Sequence, residues 1–304
     1  MVPSTASLHV ERALTAADLH ALGVRSNWQG GVRVAAHVVL LGLAGWGVAA
    51  ASGLWLVPAV LALGLVQAAL FAPSHETMHK TAFASPRANA VVGWLTFCPS
   101  LQNAQFYAAF HVMHHRHTNV PGLDPELLTP EPKTRAQYAA RILGIPFWRI
   151  RLAVVRDCWR GDLSAYPYIN AQQASGIIAS VRAMSALMVV GAVVSGIMLG
   201  WATPLLFWII PQLVGQPFLR AYLITEHTGC SLDRNGLTNT RTTRTNRLIR
   251  WLMWDMPFHA EHHLYPSIPF HRLADAHQRI AARLGHLQNG YARWNIDFLR
   301  SLPR

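Results

Sequence analysis

The chain has 304 residues, of which 52% are hydrophobic and only 13% are charged. Soluble domains carry charge on about a quarter of their residues, so this composition excludes an ordinary soluble protein and indicates an integral membrane protein. The formal net charge is +12, but the basic residues form no uninterrupted tract. We therefore expect contact with anionic lipid or an acidic partner, and no binding of nucleic acid.

Four apolar stretches are long enough to cross a bilayer, because an apolar core of about 30 Å needs about 20 helical residues. They are residues 34–53, 54–73, 177–200 and 203–225. Few or no residues separate the first stretch from the second and the third from the fourth. The sequence thus predicts an all-α integral membrane protein with four transmembrane helices in two hairpins.

The distribution of basic residues predicts the orientation of these spans. No Lys or Arg occurs between Arg33 and Lys80 or between Arg182 and Arg220, so both hairpin tips lack basic charge. Basic residues concentrate on the cytoplasmic side of membrane proteins. We therefore expect a multi-pass protein, in a bacterial inner membrane, with both termini and the 80–176 segment in the cytoplasm.

Residues 91–110 are long enough to cross but contain Pro99, Gln102, Asn103 and Gln105. A crossing here would separate the histidine clusters described below, so we expect a re-entrant or interfacial segment. The remaining long segments alternate apolar and basic residues and are predicted to form a helical cytoplasmic cap. The resulting division is 1–33 as a cytoplasmic N-terminal segment, 34–285 as the membrane-embedded domain and 286–304 as a cytoplasmic C-terminal tail.

Three histidine clusters adjoin or follow apolar stretches, and each has helical spacing. In HETMH the histidines stand four residues apart, and in HVMHH and HAEHH they follow the pattern i, i+3, i+4, which places them on one helix face. The predicted topology brings these clusters, and one histidine after the fourth span, to the same cytoplasmic interface. The candidate metal ligands are His75, His79, His111, His114, His115, His227, His259, His262 and His263.

This number of imidazoles indicates a centre with two metal ions. A structural zinc takes about four protein ligands and a catalytic zinc about three, whereas these nitrogens supply two ions with four or five each and leave positions open for oxygen. Imidazole also binds Zn, Cu and Ni, but iron commonly activates O2 at open coordination positions. Glu226 and Glu261 adjoin candidate ligands, and we expect them to hydrogen-bond the imidazoles and orient them.

A second interpretation concerns the first cluster alone. His75-Glu76-Thr77-Met78-His79 matches H-E-x-x-H, in which two histidines hold zinc and the glutamate is the general base of a metalloprotease. A membrane zinc protease with Glu76 as the base would follow. This interpretation leaves the other clustered histidines unexplained, so we treat it as a distant alternative.

The histidine motifs resemble those of the integral-membrane fatty acid desaturase and hydroxylase superfamily, which read HxxxH, HxxHH and HxxHH. Here they are HETMH (75–79), HVMHH (111–115) and HAEHH (259–263), with RHTN (116–119) following the second. The resemblance implies a non-haem di-iron centre, four spans capped by a cytoplasmic domain, and O2-dependent attack on an unactivated C–H bond of a lipid chain. It also implies that the eight motif histidines bind iron and that His227 is the additional histidine that family members place after the fourth span.

The function expected from this resemblance is that of an O2-dependent oxidoreductase, a desaturase that introduces a double bond into a fatty acyl chain. The alternative is a hydroxylase or ketolase of another apolar lipid, such as a carotenoid, because the same centre supports that chemistry. No HPGG segment of the cytochrome b5 type occurs in the sequence. We therefore expect a separate electron donor of the ferredoxin or cytochrome b5 type.

Overall fold

The computed structural model describes residues 13–303, which are mainly helical. The helices are α1 (Ala16–Leu22), α2 (Asn27–Ala50), α3 (Leu56–Ala69), α4 (Phe71–Met78), α5 (Pro86–Phe97), α6 (Ala104–His117), α7 (Arg135–Ile142), α8 (Ile145–Arg160), α9 (Ala171–Leu199), α10 (Ala202–Pro204), α11 (Ile210–Leu223), α12 (Arg247–Leu252), α13 (His259–Leu264), α14 (Leu273–Ile280) and α15 (Tyr291–Ser301). Two short strands, β1 (Thr242–Arg244) and β2 (Leu287–Asn289), pair in parallel.

Four helical segments of the described chain are long and apolar enough to cross a membrane, which confirms the number of predicted spans. They are Asn27–Ala50, Gly53–Met78, Ala171–Leu199 and Ala202–Leu223. The first and third begin several residues before the apolar stretches do. Their polar first turns are held by side-chain caps, because Ser26 accepts from the N–H of Gln29 and Asn170 accepts from the N–H of Gln173.

The second candidate span also extends beyond its predicted end at residue 73, since α4 carries it on to Met78. Buried hydroxyl groups make this polar turn possible by hydrogen-bonding to carbonyls of the same helix. The Oγ of Ser74 donates to the carbonyl of Leu70, and the Oγ1 of Thr77 donates to the carbonyl of Ser74, both at 2.7 Å. His75 therefore lies on the last turns of the span instead of following it.

Helices α3 and α11 approach each other closely at two glycines. A Cβ on Gly215 would lie 2.3 Å from the carbonyl oxygen of Gly64, and a Cβ on Gly64 would lie 2.7 Å from the carbonyl oxygen of Pro211. Nearby, the side-chain amide of Gln212 donates to the Oε1 of Gln67 at 2.9 Å. Small residues permit this contact between membrane helices, and it fixes the two spans that lead into the histidine clusters.

The 91–110 segment consists of the end of α5, a tight turn and the start of α6. Leu101 in the turn has a positive φ of 52°, and the side chain of Asn103 caps α6 by accepting from the N–H groups of Gln105 and Phe106. This segment is not among the candidate spans. Its re-entrant or interfacial position remains a prediction.

The C-terminal region folds around its own apolar core, which places α13 beside the membrane helices. Its buried members are Leu14, Leu22, Phe258, Ala260, Ile268, Leu273, Ala276, Ile280 and Leu284. The core includes Leu14 and Leu22 from the start of the described chain. It therefore anchors the helix that carries the third histidine cluster.

Candidate metal centre

Three helices and one loop supply the nine candidate ligands. Helix α4 carries His75 and ends at His79, α6 carries the second cluster, α13 carries the third, and His227 lies just beyond α11. The helical spacing seen in the sequence turns each cluster toward the same interior region. The structure thus brings together all the histidines that the sequence singled out as ligands.

Five of the histidines form one group, in which each places a ring nitrogen within 4.8 Å of all the others. They are His75, His79, His111, His115 and His262. The Nε2 of His79 lies 2.9 Å from the Nε2 of His111 and 3.2 Å from the Nε2 of His262. Nitrogens bound to one ion at about 2.0–2.1 Å are separated by roughly 3–4 Å, so this group has the spacing of a metal site.

The other four histidines form an adjoining group. His114, His227 and His263 place ring nitrogens within 4.8 Å of one another, and the Nε2 of His259 lies 3.3 Å from the Nε2 of His227. The two groups meet where the rings of His115 and His263 stack with centroids 4.0 Å apart. The nine imidazoles thus divide into five and four.

Several of the imidazole nitrogens have no hydrogen-bond partner in the described part of the protein. Within residues 13–303, both ring nitrogens of His75, the Nδ1 of His259 and the Nε2 of His263 are buried and have no hydrogen-bond partner. An unpaired buried polar group costs about 1–3 kcal/mol, and metal ions would remove much of this cost. The unpaired nitrogens and the spacing of the groups together fit a metal centre.

Three imidazoles are oriented so that their Nε2 atoms face the centre. The Nδ1 of His114 lies 3.0 Å from both carboxylate oxygens of Asp124, and the Nδ1 of His227 lies 3.2 Å from the carbonyl oxygen of Asn239. The Nδ1 of His263 lies 3.1 Å from the Oγ1 of Thr118. Partners of this kind fix the tautomer and raise the basicity of a metal-binding histidine.

The environment keeps most of the ligands neutral, which is the form that binds metal. Burial, with repulsion from His114, lowers the pKa of His79 to about 3 and that of His227 to about 4. Burial also lowers the pKa of His114, but the carboxylates of Glu126 and Asp124 outweigh this effect and raise it. The four-histidine group therefore carries compensating negative charge that the five-histidine group lacks.

The two glutamates expected to orient ligands lie in different surroundings. Glu226 does lie beside a candidate ligand, with its Oε2 3.5 Å from the Nε2 of His259, on the side that faces His227. Glu261 is fully buried but accepts hydrogen bonds from Thr242 and His277 instead of a motif histidine. Its backbone position in α13 turns it away from the helix face that carries the cluster.

Glu126 is a further carboxylate at the centre, with its Oε2 3.2 Å from the Nε2 of His114. Glu126 and Glu226 therefore both approach metal-facing nitrogens of the four-histidine group. Carboxylate oxygens bind iron as imidazole nitrogens do. An ion held by that group would therefore have carboxylate oxygens close to it.

We expect Asp124→Asn to weaken metal binding by about 10- to 100-fold, the usual effect of losing an outer partner of a ligand. The carboxylate accepts from His114 and from the N–H groups of Asn119 and Glu126, and an amide NH2 would oppose one of these donors. Titration of the metal-free protein with Fe(II) in the presence of a competing chelator measures the change. Asp297→Asn, on the exposed C-terminal helix, is the control, and equal affinities of the two variants would contradict the role assigned to Asp124.

A cavity of about 300 Å³ opens beside the histidines. His75, His111, His114 and His259 form one part of its wall. Aromatic side chains extend the wall away from them, namely Phe71, Phe106, Tyr107, Phe110 and Phe147. A molecule in this cavity would place carbon atoms directly next to the candidate metal site.

Comparisons with known proteins match most of this chain to desaturases. Residues 52–294 match the family model described as fatty acid desaturase, a range that includes all nine histidines. Dihydrorhizobitoxine desaturase of Bradyrhizobium elkanii is 28% identical over 245 residues, which cover 71% of this chain and 65% of that protein.

Two further relatives have lower identity. The chloroplastic omega-6 fatty acid desaturase of Arabidopsis thaliana is 25% identical, with 76% of this chain and 54% of that protein covered. The sn-1 oleoyl-lipid 12-desaturase of Synechocystis sp. is 24% identical, with 71% of this chain and 65% of that protein covered. The chain thus spans between about half and two thirds of the length of these relatives. The match to the family model over most of the chain shows that this protein belongs to the fatty acid desaturase family.

Proposed function

We propose that this protein is an O2-dependent di-iron desaturase that introduces a double bond into a fatty acyl chain. The observation that carries the proposal is the division of the nine imidazoles into adjoining groups of five and four beside a cavity. Two hydrogens leave neighbouring carbons of the substrate and combine with O2, two electrons and two protons to give a double bond and two water molecules. A separate donor of the ferredoxin or cytochrome b5 type supplies the electrons.

The proposed ligands are the five histidines of the first group and, in the second, His114, His227, His259 and His263. When bound, two iron ions supply the activation of O2 that unactivated C–H bonds require. The protein orients the imidazoles through Asp124, Asn239 and Thr118. The cavity holds one carbon pair of the substrate beside the centre.

The proposed topology places the four candidate spans in two hairpins, with 91–110 at the membrane interface. The segments between the second and third spans and after the fourth then form a cytoplasmic cap, and both termini are cytoplasmic. The absence of basic residues between Arg33 and Lys80 and between Arg182 and Arg220 supports this orientation. The membrane-embedded domain corresponds to 34–285, in a bacterial inner membrane.

Expression in a host whose lipids are mainly saturated tests the proposed reaction. Mass spectrometry of the fatty acids should reveal a product two hydrogens lighter than its precursor, formed only in the presence of O2. A product that has gained an oxygen atom, as an alcohol or with the loss of two hydrogens as a ketone, would favour the alternative, a hydroxylase or ketolase of an apolar lipid, and would contradict desaturation. The purified protein should contain about two irons, where a protease would contain about one zinc.

The substitution Glu76→Gln separates this function from that of a zinc protease. Glu76 is fully buried, and its Oε1 accepts a hydrogen bond of 2.9 Å from the N–H of Phe270. Glutamine retains an oxygen for this bond, so we expect iron content and desaturation within about threefold of the wild type, whereas removal of a general base costs about 100-fold or more. Glu76→Leu cannot accept the hydrogen bond from Phe270, so comparison of this variant with Glu76→Gln measures how much the bond stabilises the fold.

A further inference from the structure

Three arginines line the cavity together with the candidate metal ligands. They come from separate elements, Arg141 from α7, Arg151 from α8 and Arg220 from α11. Two of them share an aromatic contact, since the guanidinium carbons of Arg220 and Arg151 lie 4.4 and 5.4 Å from the ring centroid of Phe147. The arginines are thus gathered on one part of the cavity wall.

These guanidinium groups have almost no polar partners in the protein. Within residues 13–303, no carboxylate oxygen lies within 4.0 Å of any of the three. The Nε atoms of Arg151 and Arg220 are buried without a hydrogen-bond partner, and Arg141 makes one bond, of 3.3 Å, to the carbonyl of Thr129. An unpaired buried charge is costly, and arginine is the residue that binds carboxylate and phosphate groups in pairs of hydrogen bonds.

The acidic residues of the cavity attract Arg141 and Arg220 only at longer range and pair directly with histidines. Glu126 and Glu226 also line it, but their Oε2 atoms lie beside the Nε2 atoms of His114 and His259 at 3.2 and 3.5 Å. Arg141 and Arg151 are close enough to Arg220 to repel it electrostatically. The cavity therefore has acidic groups at its metal end and unpaired cationic groups elsewhere on its wall.

We propose that Arg141, Arg151 and Arg220 bind an anionic oxygen group of the substrate, a carboxylate or a phosphate, inside the same cavity as the reacting carbons. This inference rests on the proposed oxidative function and specifies its substrate class. The arginines and four of the candidate metal ligands line one cavity, so a substrate held by its anionic group in this cavity would reach the candidate metal site.

Binding of short probes to the iron-loaded protein in a non-ionic detergent tests the proposal without any turnover. Hexanoate, hexyl phosphate and hexanol carry the same chain, and calorimetric titration at low salt compares them. We expect one of the anions to bind about 10- to 100-fold more tightly than hexanol, the range for hydrogen bonds between charged groups. Tighter binding of hexanoate identifies a carboxylate substrate, and tighter binding of hexyl phosphate identifies a phosphate head group.

Arg151→Met should abolish most of this preference, because it removes the cation and leaves a side chain of similar length. Arg151→Lys keeps the charge and should keep part of the preference, and Arg149→Met, on the exposed side of the same helix, should keep all of it. Arg220 lies in a candidate span, so the second variant is Arg141→Met, on a different helix, which should lower the preference in the same way. Equal binding of hexanol and both anions, or a preference that survives Arg151→Met and Arg141→Met, would overturn the proposal.

Failure of the anion site can be distinguished from failure of the proposed oxidative function. Iron content and the O2-dependent product are measured on the same preparations. A wild-type protein that forms an unsaturated product but has no preference for anions refutes the arginine site alone. A protein that prefers anions but contains one zinc and forms no oxidised product refutes the oxidative function and leaves the anion site standing.

Discussion

His79→Ala is expected to leave about one iron or less per chain and to abolish product formation. The Nε2 of His79 faces the Nε2 atoms of both His111 and His262, so this imidazole occupies the middle of the five-histidine group. Loss of an outer partner of a ligand already costs about 10- to 100-fold in metal affinity. Loss of the ligand itself should lower the metal affinity by more than about 100-fold.

Iron analysis and Fe(II) titration of the purified variant measure this effect. His117→Ala is the matched control, because His117 follows the second motif on α6 but belongs to neither histidine group. The control should keep about two irons, the number assumed for the wild type, and its activity. An unchanged iron content in His79→Ala would refute the assignment of the five-histidine group as a metal site.

Gly215→Ala is expected to destabilise the protein by about 1–3 kcal/mol, the usual cost of overpacking. The new methyl group would lie 2.3 Å from the carbonyl oxygen of Gly64, which is backbone and cannot rotate away. Helices α3 and α11 would have to separate. Since α3 continues toward His75 and α11 toward His227, iron occupancy should fall with stability.

Gly191→Ala supplies the control for this substitution. Gly191 also lies inside a candidate span, but a Cβ at this position meets no atom within 4 Å. Alanine is the better helix former, so the control should be neutral or stabilising by about 0.4–1 kcal/mol. Thermal unfolding in one detergent compares the two, and equal unfolding temperatures would show that the helices do not require the close contact.

The membrane helices were predictable because their signal is local. An apolar run of sufficient length identifies a span wherever the rest of the chain lies. The ends were less predictable, since three spans, Asn27–Ala50, Gly53–Met78 and Ala171–Leu199, include polar turns that side-chain caps and buried hydroxyl groups stabilise. The close contact of Gly64 with Gly215 depends on how two distant helices cross, which no local pattern reports.

The histidines were predictable for a similar reason, because spacing on a helix fixes the face on which they lie. Their partners were not, because they reach the centre through tertiary folding. Asn239 lies twelve residues beyond His227 and Thr118 lies 145 residues before His263. Because Glu261 is next to a candidate ligand in the chain, the sequence suggested that it orients an imidazole. Neighbouring residues on a helix point about 100° apart, and the carboxylate of Glu261 hydrogen-bonds to Thr242 and His277 instead.

The same arrangement would make a bound metal ion a cross-link of the polypeptide. The Nε2 atoms of His79 and His262 lie 3.2 Å apart although 183 positions separate them in the chain. A covalent bond that closes a loop of about 100 residues raises the free energy of the unfolded chain by about 4.7 kcal/mol, because it lowers the entropy of that chain. An ion held by both histidines would act in the same way. The cellular supply of iron would then govern how long each molecule survives proteolysis, as well as how fast it turns over.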